Sequence, residues 1–189
     1  MPDIVCGDFD SIKPTVLEYY KQQKNVKVIE TPDQDDTDFT KAVKELLTEV
    51  KDKGIKLDRI IVFWSTSGRF DHIMSIIHTL YLMLNVTSIP LFLYNVNTSL
   101  SWVLKPGLHT IESNAHSSWC ALMPIGEPCV VTSQGLRWNL SEHKLAFGSL
   151  ISTSNEFDFK NSEKVKIKTD KALMWSMDTS NNLNLNKNL

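Results

Sequence analysis

The feature that most restricts how this chain can fold is a change of period near Asn97. Ahead of it, short apolar segments at 4–6, 26–29, 60–63 and 89–94 read as strands, separated by amphipathic helices. Pro14 suits the first turn of a helix that presents Leu17 and Tyr20. Thr37 can cap a second helix, whose face carries Phe39, Val43, Leu46, Leu47 and Val50 and whose end is marked by Gly54. A third helix places Ile73, Ile76, Ile77, Leu80 and Leu84 on one side. Strands alternating with such helices predict a parallel sheet covered on both faces. Beyond Asn97 the helical period vanishes. Candidate strands recur at 101–104, 109–112, 119–123, 130–133, 136–139, 145–153, 165–169 and 173–177, with turn signals at Pro106-Gly107, Gly126 and Gly135. That pattern predicts an antiparallel sandwich or barrel. The expected organisation is an α/β domain over 1–97, a β-rich domain over 98–178, and a disordered Asn-rich tail over 179–189.

Composition excludes several classes. A net charge of −2 across 189 residues leaves no basic footprint for nucleic acid. No apolar run is long enough to span a bilayer. The opening Met-Pro-Asp-Ile-Val lacks the basic-then-apolar order of a secretory signal, so the expectation is a cytoplasmic protein. Cys6, Cys120 and Cys129 form no CxxC pair and read as reduced, buried thiols.

The acids are unevenly spread. Asp8, Asp10, Asp33, Asp35, Asp36 and Asp38 crowd into two loops, each following a predicted strand. In open α/β sheets such loops converge on one crevice beyond the carboxyl ends of the strands. Asp8 and Asp10, two apart, can reach one hard cation such as Mg²⁺, or can simply favour the helix dipole ahead of Pro14. The second loop, from Thr31 to Asp38, reads either as a compensated cation site or as a solvated acidic turn with a cap. A third loop, from Ser65 through Ser67, Gly68 and Arg69 to His72, offers backbone N–H groups and a guanidinium to phosphate. There Asp71 either polarises a nucleophilic hydroxyl or locks Arg69 in an ion pair. His72 and His78 lack ligand spacing and read as ordinary helix residues.

Three segments together carry a resemblance: Gly7-Asp8-Phe9-Asp10-Ser11-Ile12, Thr31-Pro32-Asp33-Gln34-Asp35 with Thr37-Asp38-Phe39-Thr40-Lys41, and Gly68-Arg69-Phe70-Asp71-His72. With Gly135-Leu136-Arg137-Trp138-Asn139-Leu140 and Ser152-Thr153-Ser154-Asn155, they resemble the signatures of thiamine pyrophosphokinases, in order and spacing, up to about Met177. The resemblance implies a Rossmann-like α/β nucleotide-binding domain followed by a β-sandwich that binds thiamine. It also implies a homodimer with the active site between subunits, ATP as pyrophosphoryl donor, and Mg²⁺. On it, Asp8, Asp10 and Asp38 match the metal-binding acids. Gln34, Thr37, Ser67, Arg69 and Asp71 match residues around the phosphates and the thiamine hydroxyl, with Asp71, Arg69 and Asp38 as the catalytic set. Trp138, Ser152, Ser154 and Asn155 match the thiamine side, where an indole face suits a cationic aromatic ligand and the alternative is a core aromatic.

Two departures from the family pattern set further expectations. Members usually carry another strand–helix unit, with an Asp-Gly-Gly-type segment, ahead of the segment at 4–6. They also carry Gly-Gly where Trp64-Ser65 stand here. The expectation is weaker nucleotide binding. The reading that the resemblance implies is an enzyme that makes thiamine diphosphate and AMP from thiamine and ATP; its rivals are a thiamine-binding or dimer-partnering pseudoenzyme and, on Asp8-Phe9-Asp10 alone, a D-x-D glycosyltransferase.

Overall fold

A computed structural model describes residues 1–65, 68–96, 98–112, 119–159 and 164–180. By packing, the chain divides into two compact units, 1–57 with 69–79 and 58–68 with 80–189.

The first unit contains β1 (Ile4–Gly7), α1 (Pro14–Lys21), β2 (Lys27–Glu30), α2 (Asp38–Asp52) and the first part of α3 (Phe70–Met83). β1 and β2 pair in parallel, with Ile4 opposite Lys27 and Gly7 opposite Glu30. α2 has the expected start: the Thr37 hydroxyl accepts the N–H of Thr40 at 3.3 Å. Its end is a Schellman turn, in which Ile55 N–H reaches Val50 O at 2.9 Å and Gly54 N–H reaches Lys51 O at 3.2 Å. Gly54 takes φ +63°, a conformation that costs a side-chain-bearing residue energy. Val43 and Val50 are buried on the inner face of α2. α1 begins at Pro14 as expected, but Leu17 and Tyr20 are only half-buried.

The second unit holds two sheets. β3 (Ile60–Trp64), β4 (Leu91–Asn95), β5 (Ser99–Leu104), β7 (Cys120–Met123), β10 (Ser152–Asn155) and β12 (Leu173–Asp178) form one, in the order β10-β7-β12-β5-β4-β3. β6 (Gly107–Glu112), β8 (Cys129–Gln134), β9 (His143–Leu145) and β11 (Lys164–Thr169) form the other, in the order β6-β11-β8-β9. β3 and β4 pair in parallel, whereas β4–β5 and the remaining pairs of the larger sheet are antiparallel. The change of period near Asn97 thus coincides with a change of pairing sense inside one sheet. Leu122, Leu173 and Trp175 of the larger sheet meet Val131, Leu145, Val165 and Ile167 of the smaller in a shared core. That is a β-sandwich, built from the inward-facing residues of alternating strands.

Several sequence expectations need correction. Residues 136–139 form no strand; Leu136 makes a single bridge to Phe157, Arg137 N–H meets Glu156 O at 2.9 Å, and the side chains of Asn139 and Asn155 hold Leu136 and Trp138. The segment 145–153 is two strands, β9 and β10, separated by a turn in which Ala146 N–H meets Leu150 O at 2.9 Å and Gly148 takes φ +82°. Leu84 lies past the end of α3. Cys6 is half-buried rather than buried, while Cys120 and Cys129 are enclosed, and all three are free thiols. Thr179, read as tail, is buried and donates its N–H to Thr98 O at 3.3 Å; residues 181–189 lie outside the described residues.

Candidate active site

In the first unit, the loop after β1 is drawn into a tight turn. Asp10 N–H donates to Asp8 Oδ1 at 3.1 Å, and Phe9 between them takes φ +62°. A left-handed aromatic residue costs about 1–2 kcal/mol, and such outliers concentrate at functional loops. The Asp10 N–H holds the Asp8 carboxyl below the usual carboxylate range, and the side chains of Gln34 and Asp10 and the charge of Lys41 act in the same direction.

The acids of the loop after β2 divide by role. Asp33 Oδ1 accepts Asp35 N–H at 2.9 Å, a turn-forming bond. Asp36 pairs with Lys44. Asp38, by contrast, lies over the end of β1: a Cβ on Gly7 would stand 3.6 Å from its Oδ1. Gln34 Nε2 donates to Pro32 O at 3.2 Å. Asp8, Asp10, Gln34 and Asp38 are therefore brought to one neighbourhood. As the side chains stand, no three His, Cys, Asp or Glu side chains among the described residues converge closely enough to hold an ion.

Thr37 is committed inward. Its hydroxyl lies 3.1 Å from that of Thr40, which lies 2.8 Å from that of Thr79. Thr79 donates its proton to Ser75 O at 3.0 Å. Each hydroxyl has one proton, so Thr40 must donate to Thr79 and Thr37 to Thr40. Thr37 therefore has no proton to offer a phosphate while this relay stands.

Lys41 stands in the second signature segment, where the resemblance assigns it no role. It is 6% exposed, donates to Thr31 O at 2.9 Å, and lies 3.7 Å from Asp38 Oδ1. A lysine is almost never so enclosed without a charged or polar purpose. Its position three residues after Asp38, on the same side of α2, was the available signal.

Ser67 lies outside the described residues. Arg69 and Asp71, ahead of and in the first turn of α3, form a two-pronged pair. Nε meets Oδ1 at 3.1 Å and the terminal nitrogen meets Oδ2 at 2.5 Å. Hydrogen bonding between the two raises the pKa of Arg69 and lowers that of Asp71. Both are exposed, so the guanidinium is accessible to an anion. Trp64 ends β3, and its indole N–H is buried with no hydrogen-bond partner among the described residues.

In the second unit, Trp138 is 52% exposed, so the core-aromatic alternative does not hold. One face of its ring carries the Arg137 guanidinium, 4.6 Å from the centroid, and Arg137 is itself paired with Glu156 at 2.8 Å. Asn155 is 2% exposed and its side chain brackets the backbone of Trp138. Ser152 touches Asn155 at 3.1 Å, and Ser154, exposed, takes φ +59° at an irregularity in β10.

Comparison with known proteins places these features in a family. Residues 1–93 match the thiamin pyrophosphokinase catalytic domain, and residues 108–174 match the thiamin pyrophosphokinase vitamin B1 binding domain. Thiamine pyrophosphokinase 1 of Oryza sativa subsp. japonica is 36% identical over 185 residues, 95% of this chain and 67% of that protein. Thiamin pyrophosphokinase 1 of Caenorhabditis elegans is 32% identical over 181 residues, covering 95% of this chain and 71% of the relative. The crystal structure of yeast thiamin pyrophosphokinase shares the fold with a TM-score of 0.79 at 23% identity, over 94% of this chain and 69% of that one. The two family matches cover most of the chain, and relatives more than 30% identical are spanned to two thirds or more, so the chain belongs to the thiamin pyrophosphokinase family.

Proposed function

We propose that this chain transfers a pyrophosphoryl group from ATP to thiamine, giving thiamine diphosphate and AMP. The observation that carries the reading is the meeting of the first two acidic loops at the ends of β1 and β2, in a chain matched by both family segments. The thiamine hydroxyl oxygen would attack the β-phosphorus. The bond from that phosphorus to the α–β bridging oxygen breaks, AMP leaves, and the hydroxyl proton is lost. Positioning and charge neutralisation dominate such a transfer.

Asp8, Asp10 and Asp38 would hold Mg²⁺, whose preference for hard oxygen donors suits two carboxylates on the loop after β1 and a third at the start of α2. When bound, the ion neutralises charge on the triphosphate oxygens. Lys41 adds a fixed positive charge beside Asp38. Arg69 forks onto phosphate oxygens, and in doing so frees Asp71 to orient the attacking hydroxyl. Gln34 stands beside Asp8 near the phosphates. Thr37 contributes by capping α2 and thereby fixing Asp38 at its first position. Trp138 offers its free face to the thiamine rings, with Ser152 and Ser154 on the adjoining strand.

The reading carries a homodimer with sites shared between subunits, which the motif resemblance supports, and a cytoplasmic enzyme. Among the described residues no helix is long and apolar enough to cross a membrane. A second reading, a thiamine-binding protein with impaired catalysis, is favoured by Trp64, whose bulk stands where close backbone approach to phosphate is expected. The D-x-D glycosyltransferase reading accounts for nothing in the second family match.

Replacing Asp10 by Asn tests the main reading. AMP formation from ATP and thiamine should fall at least about a hundredfold, with the circular dichroism spectrum unchanged. Near-normal turnover of a folded Asp10→Asn variant at saturating Mg²⁺ would remove Asp10 from the metal site.

A further inference from the structure

Asn155 is buried to 2% exposure, and its amide makes four hydrogen bonds, all to this chain. Oδ1 accepts the N–H of Trp138 at 3.3 Å and the N–H of Glu156 at 2.9 Å. Nδ2 donates to the carbonyl of Trp138 at 2.9 Å and to Ser152 Oγ at 3.1 Å. The amide orientation follows from this pattern, because the flipped form would set an NH₂ group against two N–H donors. With both donor hydrogens and two acceptor sites engaged, no donor remains for a ligand.

The bonds to Trp138 are of an unusual kind. Both backbone polar groups of one residue are satisfied by one side chain, so the amide acts as a strand of a single residue beside the loop. The rest of the loop has supports of its own, with Arg137 N–H on Glu156 O at 2.9 Å beside the Leu136–Phe157 bridge, Leu136 N–H on Asn139 Oδ1 at 3.1 Å and Ser133 N–H on Leu140 O at 2.8 Å, but the N–H and carbonyl of Trp138 are both met by Asn155. The ring of Trp138 is anchored separately. Arg137 covers one face while paired with Glu156, whose own N–H is held by Asn155. One buried amide therefore fixes the backbone beneath the indole and the residue that tethers the guanidinium against it. The left-handed Ser154 sits immediately before Asn155, where the register of β10 breaks.

We infer that Asn155 is a positioning residue: it does not touch thiamine but holds Trp138, with one indole face covered by Arg137 and the other open to the ligand. The inference rests on the reading of Trp138 as a thiamine-facing residue and departs from the expectation that Asn155 itself contacts the substrate.

The test is a double-mutant cycle on the full chain, read as thiamine affinity by isothermal titration, with ATP affinity and thermal unfolding measured alongside. Asn155→Asp keeps the acceptors but sets a carboxylate against the Trp138 carbonyl, while the Ser152 hydroxyl can turn to donate to it; thiamine binding should weaken about tenfold, and ATP binding should not change. Trp138→Ala should weaken thiamine binding by a similar factor. In the Trp138→Ala background, where no indole is left to orient, Asn155→Asp should add less than about a twofold loss. Ser152→Ala, a gentler variant that removes one acceptor from the amide, should weaken thiamine binding a few-fold in the same non-additive way, and decides the matter should Asn155→Asp not fold. Multiplicative losses in the double variants would mean direct contact with thiamine and overturn the inference. Unchanged affinity in folded Asn155→Asp and Ser152→Ala, with Trp138→Ala weakened, would also overturn it. Unchanged affinity in Trp138→Ala would instead overturn the reading of Trp138.

Discussion

The two units order their residues by different means. In the second, Leu93, Leu122, Val131, Leu145, Val165, Ile167, Leu173 and Trp175 are wholly enclosed. In the first, Val43 and Val50 are the only apolar side chains among the described residues to reach burial; the two deepest places go to the hydroxyls of Thr79 and Thr40, and Lys41 is buried with them. Burial of a large apolar side chain contributes about 1.5–3 kcal/mol and is indifferent to direction. Hydrogen bonds contribute less each, about 0.5–1.5 kcal/mol net, but they fix geometry. The second unit is thus held by area. The first is held by aim, as suits loops that must present charged groups to a charged substrate.

The largest test of that contrast is Trp175→Ala. The indole lies in the core with Trp102 and Phe157 around it, so its loss should destabilise the second unit by about 3–5 kcal/mol. Leu17→Ala on half-buried α1 should cost about 1 kcal/mol or less. Hydrogen exchange resolved by residue separates the two effects, and equal losses would erase the distinction. Next in size is Thr37→Ala, which removes the cap and the head of the hydroxyl relay. It should cost the first unit about 1 kcal/mol, and Thr37→Ser should recover most of it; denaturant titration reads both. The smallest effect concerns acid.

Glu49 accepts from Lys27 of β2 at 2.5 Å and pairs with Lys53 at 2.7 Å, which lowers its pKa from 4.5 to about 2, Lys27 being the main cause. A depressed carboxylate contributes stability that is complete above pH 4.5 and disappears as pH falls toward about 2. The carboxylate is half-buried, but its partners Lys27 and Lys53 are more than half exposed, so solvent screens the pairs and the contribution is small. Glu49→Gln should flatten the stability profile of the first unit in that window and leave it unchanged at neutral pH relative to its own plateau. A profile with the same slope would mean other carboxylates set the acid response.

What the sequence disclosed follows the same division. Thr37 as cap, Gly54 as stop and the strands flanking the acidic loops were legible, because capping, turn and period signals are local. The loop 136–139 reads as a strand because a chain held largely by Asn139 and Asn155 side chains leaves the same alternation as one held by a neighbour's backbone. The strand expected over 145–153 hid a turn at Gly148, one glycine in a β-rich stretch. Burial of Lys41 and the inward proton of Thr37 depend on Thr31 and Thr79, contacts that no local pattern announces.

The larger sheet has a consequence for how the protein can be rebuilt. The catalytic-domain match stops at residue 93, within β4, and the vitamin-binding match starts at 108, yet β4 is laced to β5 through Leu93–Ser101, Tyr94–Leu100 and Asn95–Ser99. A chimaera joined at position 97, taking one half from this chain and the other from a relative, would set strands of two parents edge to edge at that seam. Its side chains would have to match across β4 and β5 on both faces at once. A cut there, in place of a join, would leave each piece with a raw strand edge, open to mispairing and aggregation. The two halves named as separate modules are therefore exchangeable only together, and a workable graft point has to be sought outside the stretch from Leu91 to Leu104.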